Sequence, residues 1–229
     1  MDSFNYDEKG VPVLSAVDIE NKAEEVLIKL APRILVHPQK TPVLSILDEF
    51  EKQFSVKTSI GELGFGKTGK KIIGRFWLES REISIDKSIV DTVRFPFVVA
   101  HEIGHLVLHR KLQLKAEDDD IKNDDDDFDH NLTQTTHSLK TSKDWLEWQA
   151  NKFASSFLMP KKTFIFELIE VQNILDIRSN LGRIYVEEKE YSIRDYKNTV
   201  SLLAERYAVG FIHTEIRLKD LKLIDDHRQ

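Results

Sequence analysis

Apolar positions fall into periodic blocks along this chain, and the period changes from block to block. After Asp18, Ile19, Ala23, Val26, Leu27 and Leu30 recur three and four apart, which predicts an amphipathic helix capped by Asp18. Thr41-Pro42 reads as the cap and first residue of a second helix that runs to about Gln53. Val56, Thr58 and Ile60 then alternate as a short strand, and 71–79 and Glu82–Asp86 read as a hairpin turning at Ser80-Arg81. Residues 93–109 are strongly apolar on almost every side, with Asp91 as a cap and Pro96 in the first turn, where proline is tolerated. A further helix starts near Ser142, carries Trp145, Leu146, Ala150, Phe153, Ala154, Phe157 and Leu158, and stops at Pro160. This order predicts an α+β fold, a small twisted sheet whose hairpin packs over the helix at 93–109.

The flanks are less regular. Residues 1–17 hold few periodic apolar positions and are expected to form a loose tail. The pattern collapses again over 116–140, where 116–129 holds eight aspartates, one glutamate and one lysine and reads as a solvated acidic loop. A calcium loop of the EF-hand kind needs a glycine at its turn, and none is present there. Beyond 161, residues 164–174 read as a helix and 183–187 as a strand, and 199–224 contains two short helical stretches meeting near Gly210. That pair is either a helix-turn-helix unit or a helical pair closing the domain, and the second reading is favoured. Its basic residues (Lys197, Arg206, Arg217, Lys219, Lys222) are offset by Glu205, Glu215, Asp220, Asp225 and Asp226, which weakens any phosphate-contact role. The expected plan is thus a tail over 1–17, a principal domain over 18–160 and a C-terminal helical region over 161–229.

Composition narrows the chemistry. The 229 residues suffice for one domain with a real core, and 33 basic against 39 acidic side chains give a net charge of −6, which argues against a broad nucleic-acid surface. With no cysteine, disulfides and thiolate metal sites are excluded, so any metal must be held by His, Asp or Glu. No leader or membrane-length apolar run is visible, so a cytoplasmic protein is expected. Residues 61–68 satisfy G-x-x-x-x-G-K-[ST], but a phosphate loop needs a helix to begin at the lysine, and a strand-like run follows instead. A glycine-rich connection between strands is the better reading.

His101-Glu102-Ile103-Gly104-His105 carries the chemistry. Histidines four apart share a helix face, so both imidazoles can reach one ion, and the adjacent glutamate can take a proton from water there. A core helix with hydrogen-bonded histidines is the bland alternative. Buried imidazoles and a buried carboxylate cost desolvation unless something satisfies them, which a divalent cation does. Gly104 lowers helix propensity and implies close packing against another element. A third protein ligand is needed, and the metzincin spacing fails because Leu108 and Lys111 stand where its glycine and histidine belong. His109 sits on the same helix and reads as a packing group or a support to a ligand. Glu147 is the stronger candidate, on a well-formed helix at the edge of its apolar stripe, against the alternative of an ordinary exposed glutamate. Asn151, one turn on, can hydrogen-bond a ligating imidazole.

The block 100–109 (AHEIGHLVLH), followed by 145–160 (WLEWQANKFASSFLMP), resembles the ImmA/IrrE metallo-endopeptidase family over roughly 19–160. The resemblance implies a zincin-like fold, a zinc ion held by His101, His105 and Glu147, and Glu102 as catalytic base. It also implies cleavage of a specific protein, such as a helix-turn-helix repressor encoded nearby. The acidic insert departs from compact members of that family. A sheet edge at 76–79 or Glu82–Asp86 is expected to hold substrate, and His130, His137, Tyr185 and Tyr191 are candidates for stabilising an oxyanion. The alternative is a non-enzymatic regulator that binds DNA or a protein through its C-terminal helices; a weaker one is hydrolysis of a non-peptide amide.

Overall fold

Ser15, not Asp18, opens the first helix. Its hydroxyl accepts the Asp18 N–H while the Asp18 carboxylate accepts the Ser15 N–H, so two amides of the first turn are satisfied reciprocally. The structure, a computed structural model, describes residues 4–8, 10–66, 69–109, 112 and 139–228. Among these residues seven helices and two small sheets form an α+β fold. The acidic stretch 116–129, with His130 and His137, lies outside the described residues.

Helix α1 (Ala16–Leu30) buries Ile19, Ala23 and Leu27. Helix α2 (Val43–Phe54) begins one residue later than expected, with Pro42 at the cap position. Thr41 turns inward instead, its hydroxyl 3.4 Å from the Phe157 carbonyl oxygen. Strands β1 (Lys57–Gly61), β2 (Gly74–Trp77) and β3 (Glu82–Asp86) form a sheet in the order β1-β3-β2. β2 and β3 are the antiparallel hairpin, its turn closed by Arg81 in the left-handed region at φ 51°, and β1 joins β3 in parallel. Because β3 is paired on both sides, Glu82–Asp86 offers no open edge, which corrects one of the two expected substrate edges. Among the described residues β2 does keep an outer edge. The Asp86 N–H donates to the Ile73 carbonyl at 2.9 Å, and antiparallel bonding alternates, so Gly74 and Phe76 turn their main-chain polar groups outward.

Between β1 and β2, Phe65 bridges Lys71 and the Gly66 N–H donates to the Lys70 carbonyl, and a strand follows rather than a helix. This is the expected strand connection; Lys67 and Thr68 lie outside the described residues. Helix α3 (Phe95–His109) starts after Arg94, whose carbonyl accepts the Val98 N–H, so Asp91 falls in the preceding turn and is not the cap. Helix α4 (Ser142–Leu158) opens on a Thr141–Asp144 capping box, and α3 and α4 are the principal helix pair. Gly104 makes that approach feasible: a Cβ there would stand 3.2 Å from Ala150 Cα and its carbonyl oxygen.

The remainder is α5 (Lys161–Ile174), β4 (Ile184–Val186), α6 (Glu190–Tyr207), α7 (Phe211–Asp220) and β5 (Ile224–Asp226), with β4 and β5 parallel. α6 starts far ahead of the expected stretch, on a stripe of buried Tyr196, Val200, Leu203 and Tyr207, and the chain after Lys222 is a strand. Arg217 of α7 is buried and fixes this region to the rest, donating to the Met159 carbonyl, to Ser156 Oγ and to Glu20 of α1 at 2.5 Å. The segment expected as a loose tail also touches the core, with Val11 and Leu14 buried. No described helix is long and apolar enough to cross a membrane.

Candidate metal centre

Helix geometry places His101 and His105 one turn apart on the face of α3 that meets α4, with their Nε2 atoms 3.0 Å from each other. Glu147 arrives from α4, its carboxylate oxygens 3.2 Å from His101 Nε2 and 3.5 Å from His105 Nε2. The three side chains offer ligand atoms that all lie within 4.8 Å of one another. Gly104 lets α4 come this close, since a Cβ there would crowd the Ala150 backbone and Phe153 Cβ at 3.2 Å. Burial opposes charge on Glu147, but the adjacent His105 and His101 imidazoles hold its carboxyl well below the usual range.

The outer nitrogens decide whether these residues suit a cation. His101 Nδ1 lies 2.8 Å from Asn151 Oδ1, and His105 Nδ1 lies 3.0 Å from His109 Nδ1. A neutral imidazole carries one N–H, so donation from Nδ1 leaves the Nε2 lone pair turned inward, as metal ligation requires. Two such nitrogens and a buried carboxylate form a borderline donor set suited to a divalent transition metal. The residues fit the group. His109 is pushed down to about 3, first by burial and then by the neighbouring His105, so it is neutral at ordinary pH. Its Nε2 lies 3.0 Å from Gln149 Oε1, and Gln149 Nε2 donates to the Pro12 carbonyl at 2.7 Å.

Glu102 is buried beside His101, against the hairpin. A methyl group on Gly74 of β2 would stand 2.7 Å from a Glu102 carboxylate oxygen and 2.5 Å from Val98 Cγ1. Gly74 thus gives Glu102 its space, a role the sequence reading missed although a glycine inside a strand signals close approach. Gln149 and Pro12 were missed too. Tyr185 and Tyr191 sit at the β4 side of the fold, where Tyr185 packs on the His227 ring and the Tyr191 hydroxyl donates to Glu187. They serve that region rather than the imidazole pair.

An imidazole pair from one helical turn, a carboxylate from a second helix and a glutamate between the imidazoles define a candidate HExxH-type metal protein. The chain belongs to the Peptidase_M78 family, the IrrE N-terminal-like domain, whose family model matches residues 69–219. The match runs from before the hairpin nearly to the end of α7, further toward the C-terminus than the blocks quoted from the sequence. The family carries a peptidase name. No curated protein matches the chain. Among solved structures it resembles a Mycobacterium tuberculosis transcriptional regulator at 16% identity and a TM-score of 0.51, covering 88% of this chain and 47% of that one. At this identity the likeness is one of fold, and the chain spans about half the length of that structure.

Proposed function

We propose that this protein is a zinc-dependent endopeptidase of zincin-like fold that cuts a specific regulatory protein, such as a helix-turn-helix repressor. The observation that carries the reading is the meeting of His101, His105 and Glu147 within 4.8 Å, on a family scaffold of peptidase type. In this reading those three hold zinc, while Asn151 and His109 orient the imidazoles from behind. Zinc, when bound, supplies a Lewis acid that acidifies water and polarises the scissile carbonyl.

The chain's own residues do the rest. Glu102 takes a proton from the attacking water and passes it to the departing amine, so cleavage consumes one water and leaves a carboxylic acid and an amine. Gly74 keeps that carboxylate beside β2, whose outward main-chain groups at Gly74 and Phe76 accept an extended peptide by strand addition. We place the catalytic unit in 18–160 and assign 161–229 to closing it.

The DNA-binding alternative draws less support. Of the C-terminal basic residues, Arg217 is buried on Glu20, Arg206 pairs with Glu167 and Lys219 pairs with Glu215, so three cations that would meet phosphate are already engaged. Incubation of the zinc-loaded protein with a repressor encoded beside it tests the proposal. A discrete cut is expected, and Glu102→Gln should keep zinc while slowing cleavage by about 10²–10⁴-fold. Full activity in that variant contradicts the base assignment. Salt-sensitive DNA binding unchanged by it, with no cut, would favour the regulator.

A further inference from the structure

His105, His109, Gln149 and Pro12 form a row of hydrogen bonds that starts at a metal ligand and ends on main chain 137 residues away in sequence from Gln149. Only one assignment of protons satisfies every link when His105 turns its Nε2 lone pair to a metal. His105 Nδ1–H donates to His109 Nδ1, His109 Nε2–H donates to Gln149 Oε1, and Gln149 Nε2–H donates to the Pro12 carbonyl. The last link fixes the direction of the others, because a carbonyl only accepts. It holds the amide of Gln149 with its oxygen toward His109. Were that amide reversed, its N–H would face His109 Nε2, His109 would carry its proton on Nδ1, and two N–H groups would oppose each other at the 3.0 Å contact with His105.

Asn151 provides the contrast. Its Oδ1 meets His101, but its Nδ2 is buried without a hydrogen-bond partner among the described residues, so nothing described there pins that amide from behind. Gln149 is pinned, and the residues around Pro12 are themselves held. The Asp7 N–H donates to the Val11 carbonyl at 2.9 Å, Asp7 Oδ1 accepts the Val11 N–H at 2.8 Å, and Tyr6 bridges Pro12. Val11 is seated in a small apolar cluster with Leu112 and Leu146.

We infer that Gln149 is a positioning residue and that the docked segment around Pro12 is part of the metal centre, setting the tautomer of His105 and through it the affinity for zinc. The inference rests on His105 being a zinc ligand. Docking and release of this segment would then tune metal retention without touching a ligand.

The test uses the full chain, with zinc as the probe. Zinc affinity is measured by competition with a chelating indicator in wild type, Gln149→Met, Gln149→Glu and Val11→Asp. Histidine tautomers are read from long-range nitrogen–proton NMR spectra of the zinc-loaded wild type. The expected spectrum has the proton of His105 on Nδ1 and that of His109 on Nε2. Gln149→Met and Val11→Asp should each weaken zinc binding by about 10–100-fold, as loss of a ligand's hydrogen-bond support does elsewhere, and Gln149→Glu, which still accepts from His109, should lose less than Gln149→Met. Unchanged affinity in both Gln149→Met and Val11→Asp, or a His109 proton on Nδ1, overturns the inference. If the variants fail to fold, the wild-type spectrum decides alone. A wild type that takes up no zinc removes the metal reading as well, whereas zinc bound through His105 with both Gln149→Met and Val11→Asp unaffected removes this inference only.

Discussion

The α3–α4 pair and the α6–α7 pair both bury polar groups, but they spend them differently. Between α3 and α4, two imidazole nitrogens 3.0 Å apart face a buried carboxylate, and their supports lie behind them. Around α6 and α7, cations meet anions and carbonyls: buried Arg217 has Glu20 and Met159, exposed Arg206 has the buried Glu167, and Asp220 receives half-buried Lys152. A cluster of ligating groups converging on one point indicates a site. A closed ion pair joins elements, and it leaves little charge for an outside partner. His213 of α7 ties the two regions together by stacking on Phe97 of α3, with ring centroids 3.9 Å apart.

The difference is sharpest where it can be broken. Arg217→Met removes the cation and leaves Glu20 and the Met159 carbonyl without it, so we expect a loss of about 3–5 kcal/mol in urea unfolding with zinc affinity unchanged. A weaker zinc site in that variant would mean that the two regions are coupled. His213 gives a pH-dependent effect. Burial, with Arg94 nearby, pushes it from 6.5 down to about 4, so in that window the unfolded chain binds a proton that the folded one does not. Stability present above pH 6.5 therefore declines as pH falls toward 4, by an amount on the order of 3 kcal/mol. His213→Phe keeps a ring on Phe97 and should flatten that part of the difference between the two pH–stability curves; parallel curves would contradict the assignment. In the proposed reading zinc acts at the other region: free zinc at a hundred times its Kd should add about 2.7 kcal/mol to stability, an increment that vanishes in Glu147→Ala. Equal gain in wild type and Glu147→Ala would place the ion elsewhere.

Much of the site was legible because local periodicity carries it. His101 and His105 share a helix face by spacing alone, and Glu147 and Asn151 repeat that spacing on a second helix whose caps and apolar stripe are plain. Gly104 signalled close packing by its cost to the helix. What escaped depends on distant contacts. Nothing local to Gln149 or Pro12 announces that they meet, and His109 on its own only hints that it needs a partner. The order of the sheet was hidden for a similar reason. β1 is a largely exposed edge whose burial does not follow its sequence alternation, and β3 is almost wholly buried on both faces, so neither states its neighbours. At the ends of helices, the competition between Ser15 and Asp18 shows how a capping box blurs a boundary: both residues bond the same turn, and only geometry tells which begins it.

The claim beneath all of this is that three side chains from two helices hold one zinc ion. A crystal of the protein grown with zinc, with anomalous data collected at the zinc edge, tests it directly. The account predicts a single strong peak bonded to Nε2 of His101, Nε2 of His105 and the carboxylate of Glu147. A fully loaded crystal with the peak elsewhere, or with Glu147 turned away from it, would contradict the account.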